Sequence, residues 1–118
     1  MIKSCLPTIL ATNTSENSTT WTLFIDANSP SFNGHFQQQP ILPGVTQLDW
    51  AVRLGCQTYG YPIEVAQLEV LKFQQLLLPN MEVQLTIEHQ SHKGKMIFSY
   101  HQDEQRFASG RIVIKDAC

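Results

Sequence analysis

One run of sixteen residues, VTQLDWAVRLGCQTYG from Val45 to Gly60, constrains the fold of this chain more than any other feature. Val45, Leu48, Ala51, Val52 and Leu54 recur with helical spacing and make an apolar stripe. The segment Pro40 to Gly44 precedes the run, and a proline there is preorganised for a first helical turn. Gly55 or Gly60 can end it. The run is apolar over much of its circumference, which predicts a helix that is buried rather than half exposed. It also stands alone, because the other patterned segments read as strands. A lone helix covered on most sides requires a sheet that wraps it.

The strands are legible by period two. Leu6–Thr12 and Thr20–Asp26 flank the polar turn Asn13–Thr20 as two arms of a hairpin, with Trp21, Leu23 and Ile25 on one face. Asn28–Gly34 is dense in turn formers and reads as a loop that delivers the chain to His35. Beyond the helix, Glu64–Phe73 is a strand with apolar and polar residues on both faces, and LLLPN (76–80) closes it. Met81, Val83, Leu85 and Ile87 alternate with polar residues, SHKGK (91–95) is a hairpin turn, and Met96, Phe98 and Tyr100 share a face. Asp103 and Glu104 mark another turn before Ala108, Gly110, Ile112 and Ile114. The expectation is one α+β domain over residues 1–118: a three- or four-strand, mainly antiparallel meander around one long central helix.

Composition removes several function classes. The 42% apolar content excludes a disordered chain, and 15% charged residues are few for a surface, so part of the surface is expected to be covered by a second subunit. A net charge of −2 offers no basic footprint for nucleic acid. Cys5, Cys56 and Cys118 are odd in number and far apart, which argues against a disulfide framework or a zinc site and fits a reducing compartment. Pro7 and Thr8 interrupt the short apolar run near the N-terminus, and no stretch is long enough for a membrane span, so a cytoplasmic protein is expected. His89, His92 and His101 lack metal-ligand spacing, and no metal is expected. Lys93, Lys95, Arg106, Arg111 and Lys115 cluster late in the chain, either as solvated hairpin charge or as a docking patch for an acidic partner.

The chemistry is concentrated in GHFQQQPILPGVTQLDWA, residues 34–51. His35 follows a glycine in a loop, Pro43-Gly44 opens the helix so that the Gly44 amide sits at its positive end, and Asp49 lies fourteen positions past the histidine. An unpaired carboxylate beside Leu48 on a largely apolar helix would be costly, which marks Asp49 as functional. A base, a carboxylic acid and helix-end amides can together deprotonate carbon, protonate a leaving oxygen and stabilise an enolate.

This segment resembles the motif of the 3-hydroxyacyl-acyl-carrier-protein dehydratases of the hotdog fold. His35, Pro40, Pro43, Gly44 and Asp49 fall on its pattern, and PILPGVTQLDWA is most similar to the branch associated with aryl-polyene lipid synthesis. Many members carry Pro-Gly after the HF pair, where Gln37 and Gln38 stand here. The resemblance implies a substrate held by acyl carrier protein, and a homodimer or a heterodimer with a related hotdog subunit. It also implies a substrate tunnel, to which Phe36, Pro43, Leu48 and Trp50 are assigned. In the implied mechanism His35 removes the proton beside the thioester carbonyl and the Gly44 N–H receives the enolate oxygen. Asp49, protonated in an apolar site, gives its proton to the departing hydroxyl. The thioester itself acidifies the carbon, so no cofactor is expected. Two rivals remain at this stage: a hotdog thioesterase, in which the helix carboxylate would activate water, and a non-catalytic hotdog partner subunit.

Overall fold

The computed structural model describes residues 7–26, 42–61, 63, 65–90 and 94–114. The loop assigned to Asn28–Gly34 therefore lies outside the described residues, as do His35, Phe36 and most of the hairpin turn before Gly94. Strands β1 (Thr8–Thr14) and β2 (Ser18–Phe24) form the expected antiparallel hairpin. Its turn is tighter than the polar composition suggested. Ser15 N–H donates to the Ser18 carbonyl at 2.8 Å and the two hydroxyls meet at 2.9 Å, which extends both arms into the polar stretch.

The helix α1 spans Gly44–Tyr59, followed by β3 (Val65–Phe73), β4 (Glu82–Gln90), β5 (Lys95–Gln102) and β6 (Gln105–Ile114). The strands make one sheet in the order β1-β2-β4-β5-β6-β3, antiparallel throughout. The consecutive meander is thus three strands, β4 to β6. The remaining strand, β3, crosses to the far edge and pairs with β6, because its chain arrives from the helix rather than from a hairpin. Alternation places Trp21, Leu23, Val83, Leu85, Ile87, Met96, Phe98, Tyr100, Ala108 and Ile112 in the core. Burial of such side chains, at roughly 25 cal/mol per Å² of apolar surface, is the main stabilising term.

The helix lies on that apolar face, as its own pattern requires. Trp50, Ala51, Val52, Leu54, Gly55 and Cys56 are buried. Val45, expected on the covered stripe, is 73% exposed, and Gln47 is buried in its place. The first turn is rotated because two polar contacts fix it: the Tyr100 hydroxyl donates to the Gln47 carbonyl at 2.7 Å, and Gln47 Nε2 donates to the Leu42 carbonyl at 3.1 Å. Gly60, not Gly55, ends the helix. It takes the left-handed conformation (φ 75°) open to glycine at no steric cost, while Gly55 lies within the helix where it touches the sheet.

Strand β3, like β1 at the opposite edge of the sheet, is exposed at nearly every residue. A bulge between Glu69 and Lys72 places Val70 at φ 53°, a conformation that costs a β-branched residue about 1–3 kcal/mol. The bulge lays Leu71 over Gly110, where a methyl group would stand 2.5 Å from Leu71 Cδ2.

Candidate active site

The site is built around the start of α1. Pro43 is the N-cap, extended at φ −61° and ψ 146°, and no side chain caps the turn. Pro43 O accepts from the amides of Thr46 and Gln47, each at 3.1 Å. The Gly44 amide, one position into the helix, belongs to the first turn whose N–H groups have no carbonyl partner within the helix. Leu42 N–H donates to the Leu77 carbonyl at 2.8 Å and pins the approach to the helix against the segment between β3 and β4. From the end of β3, the Phe73 ring packs on Gly44.

Asp49 is five residues further along the helix, and its surroundings differ from the apolar site expected. Arg53, one turn on, donates from Nε to both carboxylate oxygens, at 2.9 and 3.1 Å. The Asp49 side chain is 32% exposed and the Arg53 side chain 40%. The reason is rotational: Val45, Asp49 and Arg53 follow one another at i, i+4 and i+8 on the face turned from the sheet, while Gln47, Trp50 and Leu54 face it. Asp49 also acts through the helix on Tyr100. Burial, and then the Asp49 charge, push the Tyr100 hydroxyl well above its ordinary value of 10.0, so it stays protonated and keeps donating to the helix.

Of the expected site residues, Gly44, Pro43 and Asp49 lie on or beside the first two turns of α1, and Leu48 is half-buried against the core. Trp50, expected to serve in packing and in the tunnel wall, is packed in the core at 1% exposure. His35 and Phe36 lie outside the described residues. Arg53 and Phe73 were not foreseen. Arg53 had a sequence signal, an acid–base pair at i, i+4 with the acid first. Phe73 had none, because its contact with Gly44 depends on where β3 ends.

Two of the late basic residues are committed elsewhere: Arg111 and Lys95 reach Glu69 on β3 at 3.2 and 3.9 Å. Lys93 and Lys115 lie outside the described residues. Among the described residues no group of three or more His, Cys, Asp or Glu side chains could hold a metal ion, and no helix is long and apolar enough to cross a membrane.

Residues 11–111 match the ApeI-like family, described as ApeI dehydratase. The chain is similar to a 3-hydroxyacyl-[acyl-carrier-protein] dehydratase FabZ of Aliivibrio fischeri, 32% identical over 54% of this chain and 49% of that protein. It is also similar to the FabZ of Allorhizobium ampelinum, 26% identical over 67% of this chain and 55% of that one. The match thus spans about half the length of these curated relatives. Among solved structures, the dehydratase heterocomplex ApeI:P from Xenorhabdus doucetiae superposes with a TM-score of 0.85 at 30% identity, covering 95% of this chain and 100% of that chain. The E. coli PaaI protein shares the fold at a TM-score of 0.56 and 19% identity, over 88% of this chain and 78% of that one.

Proposed function

Because the chain belongs to the ApeI-like dehydratase family and has its hotdog fold, we propose that it removes water from a (3R)-3-hydroxyacyl thioester on acyl carrier protein. The product is the trans-2-enoyl thioester, and the setting is fatty-acid or aryl-polyene-type lipid synthesis in the cytoplasm. The observation that carries this reading is the helix start, with the Gly44 amide and Asp49 on one rigid element. Five residues rise about 7.5 Å along an α-helix. A thioester oxygen on the Gly44 N–H and a 3-hydroxyl on Asp49 suit that span, given hydrogen bonds of about 3 Å at each end.

In this mechanism neutral His35 takes a proton from the α-carbon. Charge develops on the thioester oxygen, where the helix-start amide stabilises it. The C–O bond at the β-carbon then breaks and hydroxide leaves as water, taking up one proton. In one reading Asp49 supplies that proton. The Arg53 contact favours a second, in which Asp49 remains a carboxylate, accepts the hydrogen bond of the 3-hydroxyl and orients it. The His35 imidazolium then returns the proton it removed, and the proton count balances without a carboxylic acid.

A second subunit is part of the proposal, either another copy of this chain or a related hotdog subunit. Its support is β3, an open sheet edge on which Val65, Leu68, Val70, Leu71 and Phe73 are exposed. An edge of that kind invites pairing unless covered. Purified protein incubated with a 3-hydroxyacyl thioester tests the activity. A conjugated enoyl thioester is the expected product. Release of free thiol would identify a thioesterase instead, and no turnover by the chain alone would point to a non-catalytic partner subunit.

A further inference from the structure

We propose that Arg53 is a positioning residue for the reaction, holding the Asp49 carboxylate in one orientation along the solvent-turned stripe of α1. The inference rests on the proposed dehydratase reading, in which Asp49 meets the 3-hydroxyl. A single N–H bridging two carboxylate oxygens, at 2.9 and 3.1 Å, fixes both the side-chain rotamer and the plane of the carboxylate.

Stability gives little reason for the pair. Both partners are about a third or more exposed, and ion pairs of that kind contribute little to folding. The helix is already held by Trp50, Ala51, Leu54 and Cys56 in the core and by Tyr100 on its first turn. What the pair does change is the freedom of Asp49. An aspartate on an exposed helix face samples several rotamers, and a catalytic hydrogen bond needs one of them. Arg53 approaches from the helix turn after Asp49, on the side away from Gly44, so the oxygens are tethered from behind relative to the helix start.

The test is a double-mutant cycle on the purified, assembled protein, with dehydration of a 3-hydroxyacyl thioester as readout. Arg53→Gln is expected to lower kcat about tenfold with little change in KM, and Arg53→Lys to recover part of the loss. Thermal stability should change by no more than about 2 °C, as for a surface pair. In an Asp49→Asn background, Arg53→Gln should have no further effect, since its partner is gone. An equal loss in both backgrounds overturns the inference, as does unchanged kcat in Arg53→Gln. Wild-type turnover by Asp49→Asn itself would instead overturn the role given to Asp49, a different failure that this cycle reads separately.

Discussion

The ring of Phe73 covers the backbone of Gly44, so closely that a methyl group added there would lie 3.1 Å from Cε1 and 3.2 Å from Cζ. A strand end and a helix start are thus in contact at the amide assigned to the thioester oxygen. Gly44→Ala pushes on a ring that is 50% exposed and free to give on its solvent side. The expected outcome is a loss of stability under about 1 kcal/mol, with a larger relative loss of activity as the amide shifts from its aim. Adding Phe73→Leu should restore turnover toward wild type, and denaturation and kinetics on the three variants measure both effects. A stability loss as large as the activity loss would remove the case for this contact as a functional one.

The two buried glycines differ in what surrounds them, and their alanine variants should differ accordingly. At Gly110 a methyl group would meet Leu71 Cδ2 at 2.5 Å and Phe98 Cε2 at 2.7 Å, and Phe98 is fully buried between β4 and β6. At Gly55 it would meet Met96 Sδ at 2.7 Å, the far part of an unbranched, adaptable side chain. Overpacking costs about 1–3 kcal/mol, and Gly110→Ala is expected at the upper end and Gly55→Ala at the lower. Urea denaturation of the two variants ranks them.

Stability should fall on mild acidification. Burial lowers His89 from its ordinary 6.5, and burial followed by the nearby Arg106 charge lowers His101. The unfolded chain therefore takes up protons, near pH 6.5, that the folded chain refuses until lower pH. The stabilising contribution is complete above 6.5 and is lost as pH falls through the lower folded values. His89 stacks on Tyr59 at 4.3 Å and bonds the Tyr61 hydroxyl through Nε2 at 2.6 Å, clamping the end of α1 to β4. Melting temperatures between about pH 7.5 and 5 should decline in the wild type and decline less steeply in His89→Gln. Equal slopes would show that His89 is not the group responsible.

How much of this could be read from residues alone follows from the range of each interaction. The period-two faces of Val83, Leu85, Ile87 and of Met96, Phe98, Tyr100 depend on one alternation each, and they are buried as expected. The helix was legible for the same reason. Its rotation was not, because Val45 and Gln47 exchange places through bonds to Tyr100 and Leu42 that no local pattern encodes. The position of β3 at the far edge depends on a crossover, and sequence adjacency suggested a meander instead. The site divides along the same line. The placement of Gly44 at the start of the helix and of Asp49 within it is legible from the Pro-Gly opening and the apolar periodicity, and the Arg53 contact is equally within reach as an i, i+4 pair. An apolar setting for Asp49 was inferred from composition around it, whereas exposure depends on which side of α1 meets the sheet.

The assembly of the site yields the last prediction. His35→Ala and Asp49→Asn should each lower dehydration by about 10² to 10⁴, the usual contribution of a positioned acid, base or orienting group. The second subunit proposed above would cover the exposed apolar edge of β3. Resemblance to hotdog dehydratases suggests that His35 of one subunit meets Asp49 of the other, giving two composite sites per homodimer. Co-expressing the two variant chains under different affinity tags and isolating the mixed dimer distinguishes the arrangements. With shared sites, one site carries both substitutions and the other carries neither, so the mixed dimer should regain about half of wild-type activity. With both residues drawn from one chain, each site carries one substitution and activity stays at the level of the single variants. A verified mixed dimer without recovery would exclude the shared site while leaving the individual roles of His35 and Asp49 to the single-variant kinetics.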